Sequence, residues 1–311
     1  MDIANTNIVV WCHPRSGSHN LIARLRTTMR NLDLHTGNLY EMFPDHSALV
    51  GKECHSEFSI MEVSRREDEF SNGLHWQLDD HGLVQSTHSP NWCYLSELEH
   101  RLSMLESKQI HGPSIGKHIT WWNRFTESIK GSHDSYADRV HSAVAGAADR
   151  NIILYRQELV DFAASMSVLD LSYIESGRRR GRIKTHGQIL VTSDDPAVAV
   201  NTDRLNRYID RLVLGFKYLD PARTVMISTE ELDQMKTITW PDGATLAVDD
   251  QHNREFRSEY MRRDAAGNVA HVPGALGVIG DAAAIHEWAS IATARHDWMH
   301  LREKHGFVRG F

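Results

Sequence analysis

The stretch Ile8-Val9-Val10-Trp11-Cys12-His13-Pro14-Arg15-Ser16-Gly17-Ser18-His19-Asn20-Leu21 decides the fold of this chain. Its apolar run ends abruptly at the Pro-Arg-Ser-Gly-Ser segment, and apolar residues then return at helical spacing at Leu21, Leu25 and Met29. This order predicts a buried strand over residues 8–12, a tight loop, and a helix over residues 18–31 that begins directly after the loop.

A loop of this kind is suited to bind an anion. The first N–H groups of a helix have no partner within the helix, and they form its positive end. Gly17 lets the backbone approach a ligand closely, Ser16 and Ser18 offer hydroxyl donors, and Arg15 adds a permanent, forked charge. We therefore expect a phosphate or sulfate ester at this loop.

The composition is that of an ordinary globular protein. The 311 residues are 41% hydrophobic and 24% charged, and the formal net charge of −7 argues against general nucleic-acid binding. The sequence contains no apolar run near the roughly 20 residues that span a bilayer, and it starts without a secretory signal pattern. These features predict a protein that acts away from membranes.

The cysteines and histidines do not form a metal-binding motif. The three cysteines, Cys12, Cys54 and Cys93, are scattered and odd in number, which favours a reduced, cytoplasmic setting. The 20 histidines include no HExxH motif, and no compact cluster of metal ligands is evident. We expect no metal to be required.

Further strands and helices alternate along the chain. Strands are predicted at 114–121, 151–155 and 224–228, and helices at 95–107, 134–149, 158–169 and 203–219. Residues 240–243 predict a hairpin turn, and residues 281–304 a long final helix. This alternation predicts an α/β fold with a doubly wound, mainly parallel sheet.

The predicted α/β domain covers residues 1–235, and residues 236–311 form a C-terminal extension that contains the long helix. Residues 44–113 are polar and irregular, so we interpret them as an insertion that serves as a lid over an acceptor site. Ligands of doubly wound sheets bind outside the carboxyl ends of the strands. Arg15, Lys117, Arg156 and Glu230 all follow predicted strand ends, and we expect them to converge there.

Two common nucleotide motifs are absent from the first loop. It has no Walker lysine, which disfavours ordinary NTP hydrolysis, and its single glycine does not make a dinucleotide-binding fingerprint.

A second loop has a similar arrangement of strand, polar residues and helix. A predicted buried strand ends at Arg156, and Ser165 follows nine residues later in a predicted helix. These two side chains could hold one phosphate between them.

Together, the two loops resemble those of sulfotransferases that use 3′-phosphoadenosine 5′-phosphosulfate (PAPS). Pro14-Arg15-Ser16-Gly17-Ser18 is similar to the family's 5′-phosphosulfate loop, and residues 151–165 are similar to its strand and helix that bind the 3′-phosphate. The bacterial trehalose sulfotransferase branch is the most similar, through Glu41-Met42-Phe43, Gly116–Trp121 and Arg180-Gly181-Arg182. The resemblance covers roughly residues 6–235.

The resemblance implies a P-loop-like sulfotransferase fold and assigns roles to individual residues. The cofactor PAPS would contact Arg15, Ser16, Gly17, Ser18, His19, Arg156, Ser165, Arg180 and Arg182, and PAP (3′-phosphoadenosine 5′-phosphate) would be the product. Glu41 would be the general base, and Arg15 would stabilise the leaving phosphate. Independently of the resemblance, the position of Lys117 on a predicted strand near the site indicates that it would either assist the transfer or bind acceptor oxygens. His118 follows it on the same strand and is the rival base.

The expected activity is transfer of a sulfuryl group to a hydroxyl of a carbohydrate or small metabolite. One alternative is a magnesium-dependent nucleotide kinase or phosphotransferase that uses the same loop. Another is a nucleotide-binding module without catalysis. We expect no nucleic-acid or membrane partner, and the sequence leaves homo-oligomerisation open.

Overall fold

The computed structural model describes residues 6–32, 37–39, 76–78, 84–86, 106–107, 114–119, 133–174, 187–192, 200–249, 258–279 and 281–311. The strands are, in chain order, β1 (Asn7–Cys12), β2 (Gly37–Leu39), β3 (Trp76–Leu78), β4 (Val84–Ser86), β5 (Ser114–Ile119), β6 (Arg150–Tyr155), β7 (Gly187–Thr192), β8 (Thr224–Ser228), β9 (Thr237–Thr239), β10 (Thr245–Ala247), β11 (Ser258–Arg263), β12 (Val269–Val272) and β13 (Val308–Arg309). The helices are α1 (Ser18–Asn31), α2 (His133–Ala147), α3 (Leu159–Ile174), α4 (Thr202–Gly215), α5 (Ala282–Arg295) and α6 (Trp298–His305).

The main sheet has six strands in the order β13-β8-β6-β1-β5-β2. Every neighbouring pair in it is parallel, so all carboxyl ends meet at one edge. The central strand β1 lies between β5 and β6, although both follow it by more than 100 residues. The loop after β1 therefore opens at the middle of the carboxyl edge, where ligands of such sheets bind.

Helices cover both faces of this sheet. Alternate residues of β1 face opposite sides, as strand geometry requires. Ile8, Val10 and Cys12 pack with the apolar face of α1. Val9 and Trp11 share the second core with residues of α2, α3 and α4. The prediction of an α/β fold with a mainly parallel sheet is confirmed.

Residues beyond 235 pack into these same two cores. The antiparallel hairpin β9–β10 places Ile238, Trp240 and Leu246 in the core beneath α1. Helix α5 packs on α3 through Trp288, and β13 adds the edge strand next to β8. The predicted hairpin turn is confirmed, and the C-terminal segment shares the hydrophobic interior of the α/β domain.

Several features differ from the predictions. The edge strands β2 and β13 of the main sheet were not predicted, and the antiparallel pair β3–β4 lies within the 44–113 segment that was expected to be irregular. The single final helix predicted at 281–304 is wrong, because α5 ends at Arg295 and α6 begins at Trp298. Asp297 caps α6 by accepting the backbone N–H of Met299 and His300. The structure also contains a three-stranded sheet of order β12-β11-β7 that the sequence reading missed. Within the described ranges, the structure contains no helix long and apolar enough to cross a membrane.

Candidate anion-binding site

The loop between β1 and α1 has two residues in the left-handed backbone conformation. Gly17 has φ of 77°, and Arg15 has φ of 61°, which is a left-handed conformation that arginine rarely adopts. A Cβ at position 17 would lie 3.1 Å from Cγ2 of Thr229, so both the conformation and the space favour glycine there. Helix α1 begins at Ser18, and its positive end therefore faces the loop.

Arg15 joins the two loops that the sequence singled out. Its Nε donates a hydrogen bond to Oγ of Ser165 on α3, at 2.7 Å. Its carbonyl oxygen lies 3.5 Å from Nη1 of Arg156, which follows β6. The structure thus brings Arg15, Arg156 and Ser165 to one place at the carboxyl edge, and two guanidinium groups flank the same loop.

Two carboxylates lie against Arg156. Nη2 of Arg156 is 3.3 Å from Oδ2 of Asp161, and its Nε is 3.9 Å from Oε1 of Glu230. Glu230 also accepts the backbone N–H groups of Gln157 and Glu158, each at 3.1 Å, just ahead of α3. Glu230 therefore stabilises the start of α3, and the positive charge of Arg156 is partly balanced.

Thr229 forms hydrogen bonds to the loop after β1 and to the end of β6, and it was not predicted from the sequence. Its Oγ1 lies 2.6 Å from the carbonyl oxygen of Ser16 and 3.1 Å from that of Tyr155. It directly follows β8, in the one-turn 3-10 helix Thr229–Glu231. Its place directly after a predicted strand could have identified it, because Glu230 was selected for following the end of the same strand.

His13 is a second residue that sequence reasoning did not select. Its ring is fully buried, and it packs on Phe162 of α3 with ring centroids 4.6 Å apart. The backbone N–H of Arg156 donates to Nε2 at 3.1 Å, and Nδ1 lies 2.8 Å from the carbonyl oxygen of Pro14. Burial lowers the pKa of His13 to about 4, and the nearby Arg156 charge also lowers it. The imidazole is therefore neutral near pH 7.

The remaining loop residues lie where the sequence predicted. Ser18 and Ser16 are buried, and Oγ of Ser16 has no hydrogen-bond partner in the part of the chain that the structure describes. His19 is in the first turn of α1, and its Nε2 lies 3.4 Å from Nζ of Lys117. Lys117 is fully buried within β5, on the α1 side of the sheet, rather than beyond the end of its strand.

His118 does not join this cluster. It pairs in register with Trp11, on the face opposite to Lys117. Its ring makes an edge contact with Trp11 at 4.6 Å between centroids, and its Nε2 lies 2.9 Å from Nδ1 of His141 on α2. Burial and His141 lower the pKa of His118 well below its usual value. The structure places His118 in the core beneath α2.

Three predicted residues, Glu41, Arg180 and Arg182, lie outside the described residues, as does most of the 44–113 segment and of the helix predicted at 95–107. Within the described ranges, His, Cys, Asp and Glu side chains form no group of three or more suited to a metal ion.

The described arrangement can bind a compact anion or two neighbouring anionic groups. It combines a helix N-terminus, two arginines and the buried hydroxyl of Ser16 at one sheet edge. In comparisons with known proteins, no family model, curated protein or solved structure matches this chain.

Proposed function

We propose that this protein is a PAPS-dependent sulfotransferase. The observation that carries the proposal is the hydrogen bond from Arg15 to Ser165, at 2.7 Å, because it unites the two loops assigned to the two anionic groups of one nucleotide. PAPS has a phosphosulfate on the 5′ carbon and a phosphate on the 3′ carbon of the same ribose. A ligand of this kind requires two adjacent anion sites.

The first site would be the loop after β1. Residues 15–18 would hold the 5′-phosphosulfate at the positive end of α1. The buried Ser16 hydroxyl, which has no partner among the described residues, fits a site whose remaining acceptor is a ligand oxygen. His19 and Lys117 lie beside this end of α1 and add hydrogen-bond donors to the same site.

The second site would be Arg156 together with Ser165. Arg156 supports the proposal because its guanidinium already lies against the loop, at the carbonyl oxygen of Arg15. Asp161 and Glu230 occupy two sides of this guanidinium, so a 3′-phosphate would approach from the side of Arg15 and Ser165. The positive charge of Arg15 would then face both anionic groups of the nucleotide.

The proposed chemistry is an in-line displacement at sulfur. An acceptor hydroxyl oxygen bonds to sulfur, the bond between sulfur and the bridging phosphate oxygen breaks, and PAP leaves. Glu41 would take the hydroxyl proton, and Arg15 would balance the charge that develops on the leaving oxygen. The acceptor class expected from the sequence is a carbohydrate or small metabolite. The parallel sheet, with an anion-binding loop after its central strand, is compatible with a P-loop-like sulfotransferase fold.

Isothermal titration calorimetry with PAP, AMP and ATP–magnesium tests the proposal. The wild type should bind PAP at least tenfold more tightly than AMP, since only PAP has a 3′-phosphate. Arg156→Ala should remove this difference. Arg223 is an exposed arginine just before β8, so Arg223→Ala is the matched control and should leave the difference unchanged.

Equal affinities of the wild type for PAP and AMP would contradict the assignment of the 3′-phosphate site. Tighter binding of ATP–magnesium than of PAP would favour the kinase alternative. Tight binding of PAP without sulfuryl transfer from labelled PAPS to any carbohydrate hydroxyl would favour a nucleotide-binding module without catalysis.

A further inference from the structure

His13 contacts both anion-binding segments of the proposed site. It lies between β1 and Arg15 in sequence, and through Nε2 it accepts the backbone N–H of Arg156 at 3.1 Å. It also contacts α3 through Phe162. A single side chain thus touches the first loop, the residue after β6 and the helix that presents Ser165.

The hydrogen-bond pattern assigns one protonation state to this ring. Nε2 accepts an N–H, so it has a free electron pair, and the ring proton must lie on Nδ1. Nδ1 then donates to the carbonyl oxygen of Pro14 at 2.8 Å. Both ring nitrogens are satisfied only in this neutral tautomer, and the fully buried position excludes water as a substitute.

We propose that His13 is a positioning residue, whose neutral imidazole fixes Arg156 relative to the Arg15 loop and so sets the spacing between the two anion sites. The effect of His13 on nucleotide binding rests on the proposed function. The hydrogen bond between the Arg156 backbone and the His13 ring is present in the protein without any ligand. It does not require His13 to touch the nucleotide.

The physical argument is one of pre-organisation. A guanidinium at the end of a flexible side chain binds an anion well only if its backbone is held in place. The side chain of Arg156 already contacts the carbonyl oxygen of Arg15, at 3.5 Å. The His13 bond fixes the backbone of the same residue. Loss of that bond should let the second site move away from the first while each remains folded.

Two substitutions of His13 distinguish the contact made by Nε2 from the contact made by Nδ1. The amide of His13→Gln reaches about as far as Nε2, so its oxygen can accept the N–H of Arg156. The shorter amide of His13→Asn reaches only about as far as Nδ1, so it keeps a donor near Pro14 and loses the acceptor for Arg156. The two variants have the same polar group, and they differ in whether that group can accept the backbone N–H of Arg156.

Amide hydrogen exchange of the full-length protein tests the link without any ligand. The Arg156 amide should exchange about tenfold faster in His13→Asn than in the wild type, and close to the wild-type rate in His13→Gln. The amide of Ile153, inside β6, is the internal control and should not change. Unchanged exchange at Arg156, or equal acceleration at Arg156 and Ile153, would overturn the proposal.

The same variants test positioning through PAP titration. His13→Asn should bind PAP about tenfold more weakly than the wild type, His13→Gln should restore most of the affinity, and the affinity for adenosine should not change. Wild-type affinity for PAP in His13→Asn would overturn the positioning role. If the wild type itself does not bind PAP, the proposed function fails, and the exchange measurement alone decides whether His13 fixes Arg156.

Discussion

Nε of Arg15 donates to Oγ of Ser165 at 2.7 Å, although 150 positions separate the two residues in sequence. The bond ties the loop after the first strand to the middle of helix α3. Because Arg15 is the one charged residue within that loop, its orientation depends on a hydroxyl from a distant part of the chain. The orientation of the Arg15 guanidinium and the packing of α3 are therefore coupled.

Ser165→Ala tests this coupling. Without the hydroxyl, the Arg15 guanidinium loses an acceptor that restricts its rotamer, so PAP affinity should fall about tenfold. Ser167→Ala is a matched control, since Ser167 lies on the same helix and both serines are 4% exposed. Calorimetric titration with PAP measures the effect. Similar affinity losses in the two variants would show that the hydroxyl acts only through helix packing.

Arg24 should be essential for stability. This residue of α1 is fully buried, and its guanidinium donates to the carbonyl oxygens of Leu232, Met235 and Asp249. Arg24→Met would remove a donor from two buried carbonyl groups and one part-buried carbonyl group, and the free energy of unfolding should fall by roughly 3 kcal/mol. Urea denaturation measures this change.

The exposed Arg207 of α4 is the control for Arg24. Arg207→Met should change the free energy of unfolding by no more than about 0.5 kcal/mol. A comparable loss in both variants would mean that Arg24 contributes through its charge rather than through its three carbonyl contacts. Arg24 also fixes the segment after Glu230, so its loss should loosen the candidate site.

Stability should decrease as the pH falls from 6.5 towards 4. Burial lowers the pKa of both His13 and His141 from 6.5 to about 4. Between these values the unfolded chain binds a proton at each histidine that the folded chain does not, so acid favours unfolding. The free energy of unfolding should not depend on these two histidines above pH 6.5, and their effect should reach its full size below pH 4. Each histidine should contribute on the order of 3 kcal/mol.

Urea denaturation at intervals between pH 7 and pH 4 measures this dependence. His141→Gln replaces one titrating group with a neutral amide, so the slope of stability against pH should become smaller in that window. An unchanged slope in His141→Gln would contradict the assignment of His141 as a buried neutral group.

The sequence predicted four of the six strands of the main sheet, β1, β5, β6 and β8, because their signals are local. It did not predict the edge strands β2 and β13. The apolar run before Pro14 and the helical spacing after Gly17 gave β1 and α1, and α1 spans residues 18–31 as expected. The strands at 150–155 and 224–228 have the same continuous apolar character, and both are buried. Buried parallel strands have this pattern wherever they occur in a chain.

The missed features depend on contacts between distant residues. β11 has the sequence SEYMRR, and its parallel pairing with β7 joins segments about 70 positions apart, which periodicity does not reveal. His13 and Thr229 bind backbone groups that lie 143 and 213 residues away. The break before α6 had a local signal, because Asp297 is a favourable N-cap, but the apolar residues on both sides suggested one helix.

The left-handed backbone of Arg15 has a consequence for how this protein can change. At φ of 61°, glycine would fit with less strain than arginine, by roughly 1 kcal/mol. Relief of backbone strain alone would therefore favour Arg15→Gly, but this substitution would also remove the guanidinium and its hydrogen bond to Ser165. The backbone and the side chain thus have opposite preferences at position 15, and strained positions of this kind cluster at functional sites.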